Sequence, residues 1–184
     1  MTELASPGQL RAAFLRWALF IVPGIMFLGF FAGRLGGSGS GNPWFMDLVK
    51  PAIYPPPATF GIVWTILFTL IGLSLAMVAS AWGAPGRVMA LVVFAVHFLG
   101  TQAWSAVFFG MQDMLGGLMV LGYGITTLLI ALALIWRVRR GAALLLLPYL
   151  AWLCFAGVLN YQFMTANPDG GQGGGDGAAT RVEL

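Results

Sequence analysis

The chain has 184 residues, 59% hydrophobic and only 8% charged, with a formal net charge of +3 and a mean hydropathy of +0.88. A soluble domain carries about 25% charged residues. A chain this poor in charge cannot clothe itself in a water-facing surface, so lipid must replace water around most of it. The excess of Arg and Lys is therefore read as membrane topology and not as an affinity for nucleic acid.

The placement of the charges is more informative than their number. No Asp, Glu, Lys or Arg occurs between Lys50 and Arg87, between Arg87 and Asp113, between Asp113 and Arg137, or between Arg140 and Asp169. Each gap is at least as long as the roughly 20 residues a helix needs to cross a ~30 Å hydrocarbon core. Crossing segments must satisfy their backbone internally, as helices or as a closed barrel. A barrel would alternate polarity over ~10-residue segments. The runs here are apolar all round, so the expectation is an all-α integral membrane protein, a bundle of five transmembrane helices.

In chain order, residues 1–12 read as a polar tail. A first span covers about 13–31; Pro23 and Gly24 predict a kink in it, and Gly29 with Gly33 make a GxxxG pair suited to close helix packing. Arg11 and Arg16 ahead of an apolar run also resemble a signal peptide, but further spans follow and no clean small-residue cleavage site is present. Residues 32–59 form a loop that caps the bundle. It holds a Gly/Ser-rich linker, a short amphipathic piece from Asn42 to Pro51, and Tyr54-Pro55-Pro56-Pro57 leading into a helix for which Thr59 is a candidate cap. Four more spans follow at about 60–82, 88–109, 115–136 and 142–163, joined by turns short enough to make them antiparallel neighbours. Pro148 should break or bend the start of the last one. Residues 167–184, rich in Gly and Asp, read as a disordered tail. Arg11, Arg16, Arg87, Arg137, Arg139 and Arg140 fall on one side, and Arg34, Lys50 and Arg181 on the other, which predicts a cytoplasmic N-terminus.

Three polar or aromatic stripes stand out inside the spans. His97, Thr101, Trp104 and Phe108 are spaced by four, three and four, and so share one helix face. Tyr149, Trp152, Ala156, Asn160 and Phe163 mark the fifth span. Phe60, Trp64 and Phe68 mark the second. Trp64, Trp104 and Trp152 either pack against lipid or line one pocket for a flat apolar ligand. His97, near mid-span, is a ligand contact, a proton acceptor, a haem ligand, or a neutral histidine bonded to another helix. Asn160 needs a polar partner and reads as interhelical glue or as a ligand contact. Trp17, Trp82 and Trp136 fall at predicted span ends, as an interfacial aromatic belt would. Cys154, alone in an apolar run, reads as a small buried hydrophobe. The sequence has no intramembrane carboxylate, P-loop, metal-ligand cluster or catalytic-triad constellation, so it offers no conventional enzyme, and no cofactor is required by it.

Three blocks resemble the TspO/MBR family, the tryptophan-rich sensory proteins related to the mitochondrial translocator protein or peripheral benzodiazepine receptor. They are Lys50-Pro51 with Pro55-Pro56 and Val63-Trp64-Thr65; Trp104-Ser105-Ala106-Val107-Phe108-Phe109-Gly110; and Pro148-Tyr149-Leu150-Ala151-Trp152 with Ala156, Leu159 and Asn160. Together they cover about 44–167. The resemblance implies a five-helix bundle, often a homodimer, that binds porphyrins such as protoporphyrin IX and haem, benzodiazepine-type ligands and, in some members, sterols. It implies a pocket of Phe45, Trp64, Phe68, Thr101, Trp104, Trp152 and Ala156, lidded by the first loop. Departures are Ala52 and Ile53 at a usually tryptophan-rich pair, His97 for the usual glutamine, Thr101 for the usual asparagine, and Phe45 where a tyrosine can stand. The sterol pattern is broken, because no Lys or Arg follows Tyr161 within five residues. The expected function is porphyrin sensing, sequestration or transport. The alternatives are light-dependent porphyrin breakdown, with Trp64 and Trp152 as redox groups, and a non-catalytic scaffold dimerising through Gly117, Gly124, Ala103 and Ala106.

Overall fold

The computed structural model of the chain describes residues 6–39 and 41–170, and every regular element among them is helical. Helix α1 (Pro7–Leu35) begins one and a half turns earlier than the sequence suggested. Ser6 and Gln9 form a reciprocal capping box, with Gln9 N donating to Ser6 Oγ at 3.3 Å and Ser6 N to Gln9 Oε1 at 2.7 Å. Pro7 occupies the first turn, where its missing N–H costs nothing. Residues 7–12 are thus helix and not tail.

Helix α2 (Pro43–Asp47) is capped by Asn42, whose side chain accepts from Phe45 N at 3.0 Å. Helix α3 (Pro57–Ala79) has Pro56 at its N-cap and no side-chain cap bond, and Thr59 lies inside the helix, so Thr59 is not the cap. Consecutive prolines preset φ and remove donors there, leaving a hydroxyl little to do. The turn after α3 uses Gly83 and Gly86 at φ 76° and 78°, a left-handed geometry that side chains resist.

The third span is composite: α4 (Arg87–Thr101), α5 (Ala103–Ser105) and a π-helical turn (Ala106–Gly110). Asp113 then caps α6 (Met114–Val138), accepting from Gly116 N at 2.8 Å. The fifth span is split into α7 (Arg140–Leu144) and α8 (Leu147–Ala166). Pro148 has no N–H for the carbonyl four residues back, which accounts for the break at Leu145 and Leu146. Five helical stretches are long and apolar enough to cross a bilayer: Pro7–Leu35, Pro57–Ala79, Arg87–Gly110, Met114–Val138 and Arg140–Ala166.

Helix α1 packs along α3, α4 along α6, and α6 along α8. Small residues let these helices approach. A Cβ at Gly72 of α3 would lie 2.7 Å from the Val22 Cα of α1, and one at Gly29 would enter the Phe68 ring. The GxxxG glycine Gly29 therefore serves packing within the bundle. Gly117 and Gly124 do the same: the first lies against Asn160, Phe108 and Trp104, and the second against Thr101. Both are buried, so they cannot form the dimer stripe expected of them.

The first loop caps one end of the bundle. Trp44, Phe45 and Leu48 are buried against Phe108, Phe109, Met114, Leu159 and Phe163. Residues 167–170, read from sequence as the start of a loose tail, are docked here. Asn167 is buried and brackets Val49, accepting from its N–H at 2.8 Å and donating to its carbonyl at 3.1 Å. Trp44 Nε1 donates to Gly170 O at 2.9 Å. The rest of the expected tail, 171–184, and Arg181 with it, lie outside the described residues. At the opposite end Trp82 and Trp136 are exposed, with Arg87 4.2 Å over the Trp82 ring and Arg140 5.7 Å over Trp136, as suits an interfacial belt beside the basic loops.

Candidate ligand cavity

The capped end of the bundle holds a partly open cavity of about 530 Å³, within the ~300–1,000 Å³ typical of small-molecule sites. Its walls come from α1, α3, α4, α5, the π turn, α6 and α8, with Phe45 and Tyr54 of the first loop over it. Apolar spans have no hydrophobic reason to hold a void between them in lipid. The void persists because rigid rings prop its walls apart.

Those rings form one connected set. Trp64 stacks on Phe68 at 5.0 Å and meets Trp152 edge-on at 6.3 Å. Trp152 continues to Phe155 at 5.2 Å and to Phe60 at 5.9 Å. On the facing wall Trp104 stacks on Phe108 at 5.0 Å, with an interplanar angle of 18°. Tyr54 joins the two halves, 5.5 Å from Phe60 and 5.9 Å from Phe45, which in turn lies 5.1 Å from Phe109. Offset and edge-to-face pairs at these separations contribute about 0.5–1.5 kcal/mol each beyond area burial.

The π turn shapes the facing wall. Met111 N bonds back to Ala106 O at 2.8 Å and Asp113 N to Val107 O at 3.1 Å, so an extra residue is accommodated and Phe108 and Phe109 both turn inward. Such turns often occur at functional positions. Lys50 secures the lid: its ammonium donates to the carbonyls of Phe45, Met46 and Leu48 and lies 4.5 Å over the Phe45 ring. This closes the C-terminal end of α2 with a cation, as the helix dipole favours. Burial lowers the Lys50 pKa, with Asp47 pulling the other way. Burial also raises that of Tyr54, so the Tyr54 phenol stays neutral at physiological pH.

Asn160 ties the deep polar contacts together. Its Nδ2 donates to Met114 O at 2.7 Å and its Oδ1 accepts from Trp104 Nε1 at 3.2 Å. It is therefore the interhelical glue suggested by its depth, and it lines the cavity as well. Thr101 also lines it, with its hydroxyl donating to Phe98 O at 2.8 Å.

Twelve of the thirteen residues in the three stripes and the implied pocket line this one cavity: Phe45, Phe60, Trp64, Phe68, Thr101, Trp104, Phe108, Tyr149, Trp152, Ala156, Asn160 and Phe163. His97 does not. It is fully buried one turn below Thr101, with Nδ1 2.8 Å from Thr127 Oγ1 of α6 and its ring 5.7 Å from that of Tyr149. Tyr149 lines the cavity floor and His97 packs behind it, so sharing a helix face with Thr101 did not place His97 on the cavity. Its Nδ1 makes the bond to another helix that one of its four readings expects, while its Nε2 is buried without a hydrogen-bond partner among the described residues.

Sequence reasoning missed the wall contributed by α1, namely Gly29, Phe30, Gly33 and Arg34, and also Tyr54, Gln102 and Phe109. The spacing of Gly29 and Gly33 was the available signal for α1. Phe109 carried none, because an unbroken α-helix points it away from Phe108. Cys154 is exposed and not buried, which suits a thiol facing lipid.

Comparison with known proteins agrees with this arrangement. The model of the TspO/MBR family matches residues 20–165, a stretch that includes every wall of the cavity. The tryptophan-rich protein TspO of Chlorobaculum tepidum is 39% identical over 142 residues, covering 75% of this chain and 88% of that protein. The translocator protein of Bos taurus is 34% identical over 76% of this chain and 84% of its own length. Protein CrtK of Rhodobacter capsulatus is 31% identical over 74% and 86% respectively. With its five membrane-crossing helices and its aromatic chamber under the first loop, this chain is a multi-pass membrane protein that belongs to the TspO/MBR family.

Proposed function

We propose that the cavity binds a tetrapyrrole, protoporphyrin IX or haem, and that the protein senses, sequesters or moves that ligand in the membrane. The observation that carries this reading is the convergence of three aromatic stripes on one cavity, with Trp64, Trp104 and Trp152 presenting ring faces or edges to it. Aromatic walls suit a flat, polarisable, mostly apolar macrocycle, and the few fixed polar groups would set its orientation. The broken sterol pattern after Tyr161 gives a sterol no comparable support. In topology, the capped end of the bundle faces away from the arginine-rich loops, which supports a non-cytoplasmic position for it under the positive-inside rule.

Titrating the purified protein with protoporphyrin IX while following tryptophan fluorescence tests the proposal. Saturable quenching, weakened in Trp64→Phe plus Trp152→Phe, is the expected result; no saturable quenching overturns it. The edge-on approach of Trp64 and Trp152 at 6.3 Å also favours a second reading, light-driven porphyrin breakdown with these rings as redox partners. Illuminating the complex decides between them: a new tetrapyrrole product supports chemistry, and recovery of unchanged porphyrin supports binding alone.

A further inference from the structure

The chamber is apolar in its depths. Among the described residues that line it only Arg34 carries a formal charge at neutral pH, and none is acidic. Arg34 sits in the last turn of α1, at the end of the bundle closed by the first loop. The other cation at that end among the described residues, Lys50, is already donating to three backbone carbonyls. Three neighbouring polar side chains are likewise committed: Ser38 Oγ to Gly33 O at 2.8 Å, Gln102 Nε2 to Phe98 O at 3.1 Å and Trp104 Nε1 to Asn160 at 3.2 Å. Among the described residues nothing holds the Arg34 guanidinium.

Arg34 is exposed at the rim of the chamber, where a free guanidinium can receive an anion. Its planar fork matches a carboxylate with two parallel hydrogen bonds, and the apolar wall on its cavity side strengthens the attraction relative to open water. We propose that Arg34 binds an ionised carboxylate on the edge of the cavity's ligand, so that the site takes flat apolar molecules bearing an acid group and disfavours their neutral counterparts. This rests on the tetrapyrrole reading and deepens it. A macrocycle with acid side chains would lie with its ring among Trp64, Trp104 and Trp152 and its carboxylate at the α1 wall. A sterol, with no acid group, would leave Arg34 unpaired.

The test compares protoporphyrin IX with its dimethyl ester, the same ring without ionised carboxylates, by tryptophan quenching of the full chain in lipid nanodiscs. The wild type should bind the acid about tenfold more tightly than the ester. Arg34→Gln should bring the acid down to the affinity of the ester and leave the ester unchanged, and Arg34→Lys should retain part of the preference. The unchanged ester affinity is the internal check that the variant is folded. Equal affinity of the wild type for acid and ester, or an Arg34→Gln variant that weakens both alike, overturns the assignment of Arg34 while the tetrapyrrole reading stands. If neither compound binds the wild type, the tetrapyrrole reading fails and this inference falls with it.

Discussion

Replacing Asn160 with alanine should destabilise the bundle through a loss that can be worked out from its contacts. The side chain makes two interhelical hydrogen bonds, to Met114 O at 2.7 Å and from Trp104 Nε1 at 3.2 Å. In a membrane such bonds average ~0.6 kcal/mol and reach ~1.7 kcal/mol, so two give roughly 1–3 kcal/mol. For a chain of this size that corresponds to a fall in melting temperature of about 2–12 °C. Thermal unfolding in detergent, followed by far-ultraviolet circular dichroism, reads the change. Trp104→Phe removes one of the two bonds and keeps the ring on Phe108, so its own loss should be smaller. Asn160→Ala and Trp104→Phe should then combine less than additively, with a coupling of about 0.5 kcal/mol or more. A stability-neutral Asn160→Ala, or strict additivity, would refute the claim that Asn160 joins α6 and α8 through the cavity wall.

Other contacts yield further expectations. Gly72→Ala puts a Cβ 2.7 Å from the Val22 Cα; backbone cannot step aside, so α1 and α3 must separate at a cost of about 1–3 kcal/mol, measurable by the same unfolding assay. Gly29→Ala pushes the Phe68 ring off its seat and should weaken ligand affinity more than it lowers stability; a titration beside a melt separates the two. His97→Leu removes the 2.8 Å bond to Thr127 at a residue that packs behind the Tyr149 floor and does not itself line the cavity, so porphyrin affinity and the haem Soret band should stay as in the wild type, and a lost Soret shift would restore His97 as a haem ligand. Lys50→Met leaves three carbonyls at the end of α2 without their donor, which should speed amide hydrogen exchange across Phe45 to Leu48 while the spans keep their protection.

Much of the fold was legible because charge is so costly in lipid that the gaps between charges mark the spans. Boundaries were less legible where capping decided them. The Ser6–Gln9 box extends α1 beyond the polar tail, and the proline run starts α3 ahead of Thr59. The site was readable wherever helical spacing held, as from Thr101 to Trp104 to Phe108 or from Trp152 to Ala156 to Asn160. It failed in two ways. The π turn rotates Phe109 into the chamber, which no α-helical period anticipates. The depth of His97 relative to the Tyr149 floor depends on how far α8 reaches across the bundle, a tertiary fact that sequence spacing does not hold. The docking of Asn167 on Val49 was hidden by the glycine-rich run that follows it, since composition averages over the one side chain that anchors.

The central claim is that the aromatic chamber is where the tetrapyrrole sits, and filling the chamber tests it most directly. Ala156 lines it and is half-buried, so Ala156→Trp puts an indole into space that is empty and not into packed core. Protoporphyrin IX should bind the wild type saturably with one site per chain, and Ala156→Trp should abolish that binding while its melting temperature stays at or above the wild-type value. Unchanged porphyrin affinity in a folded Ala156→Trp protein would place the ligand elsewhere and contradict the account.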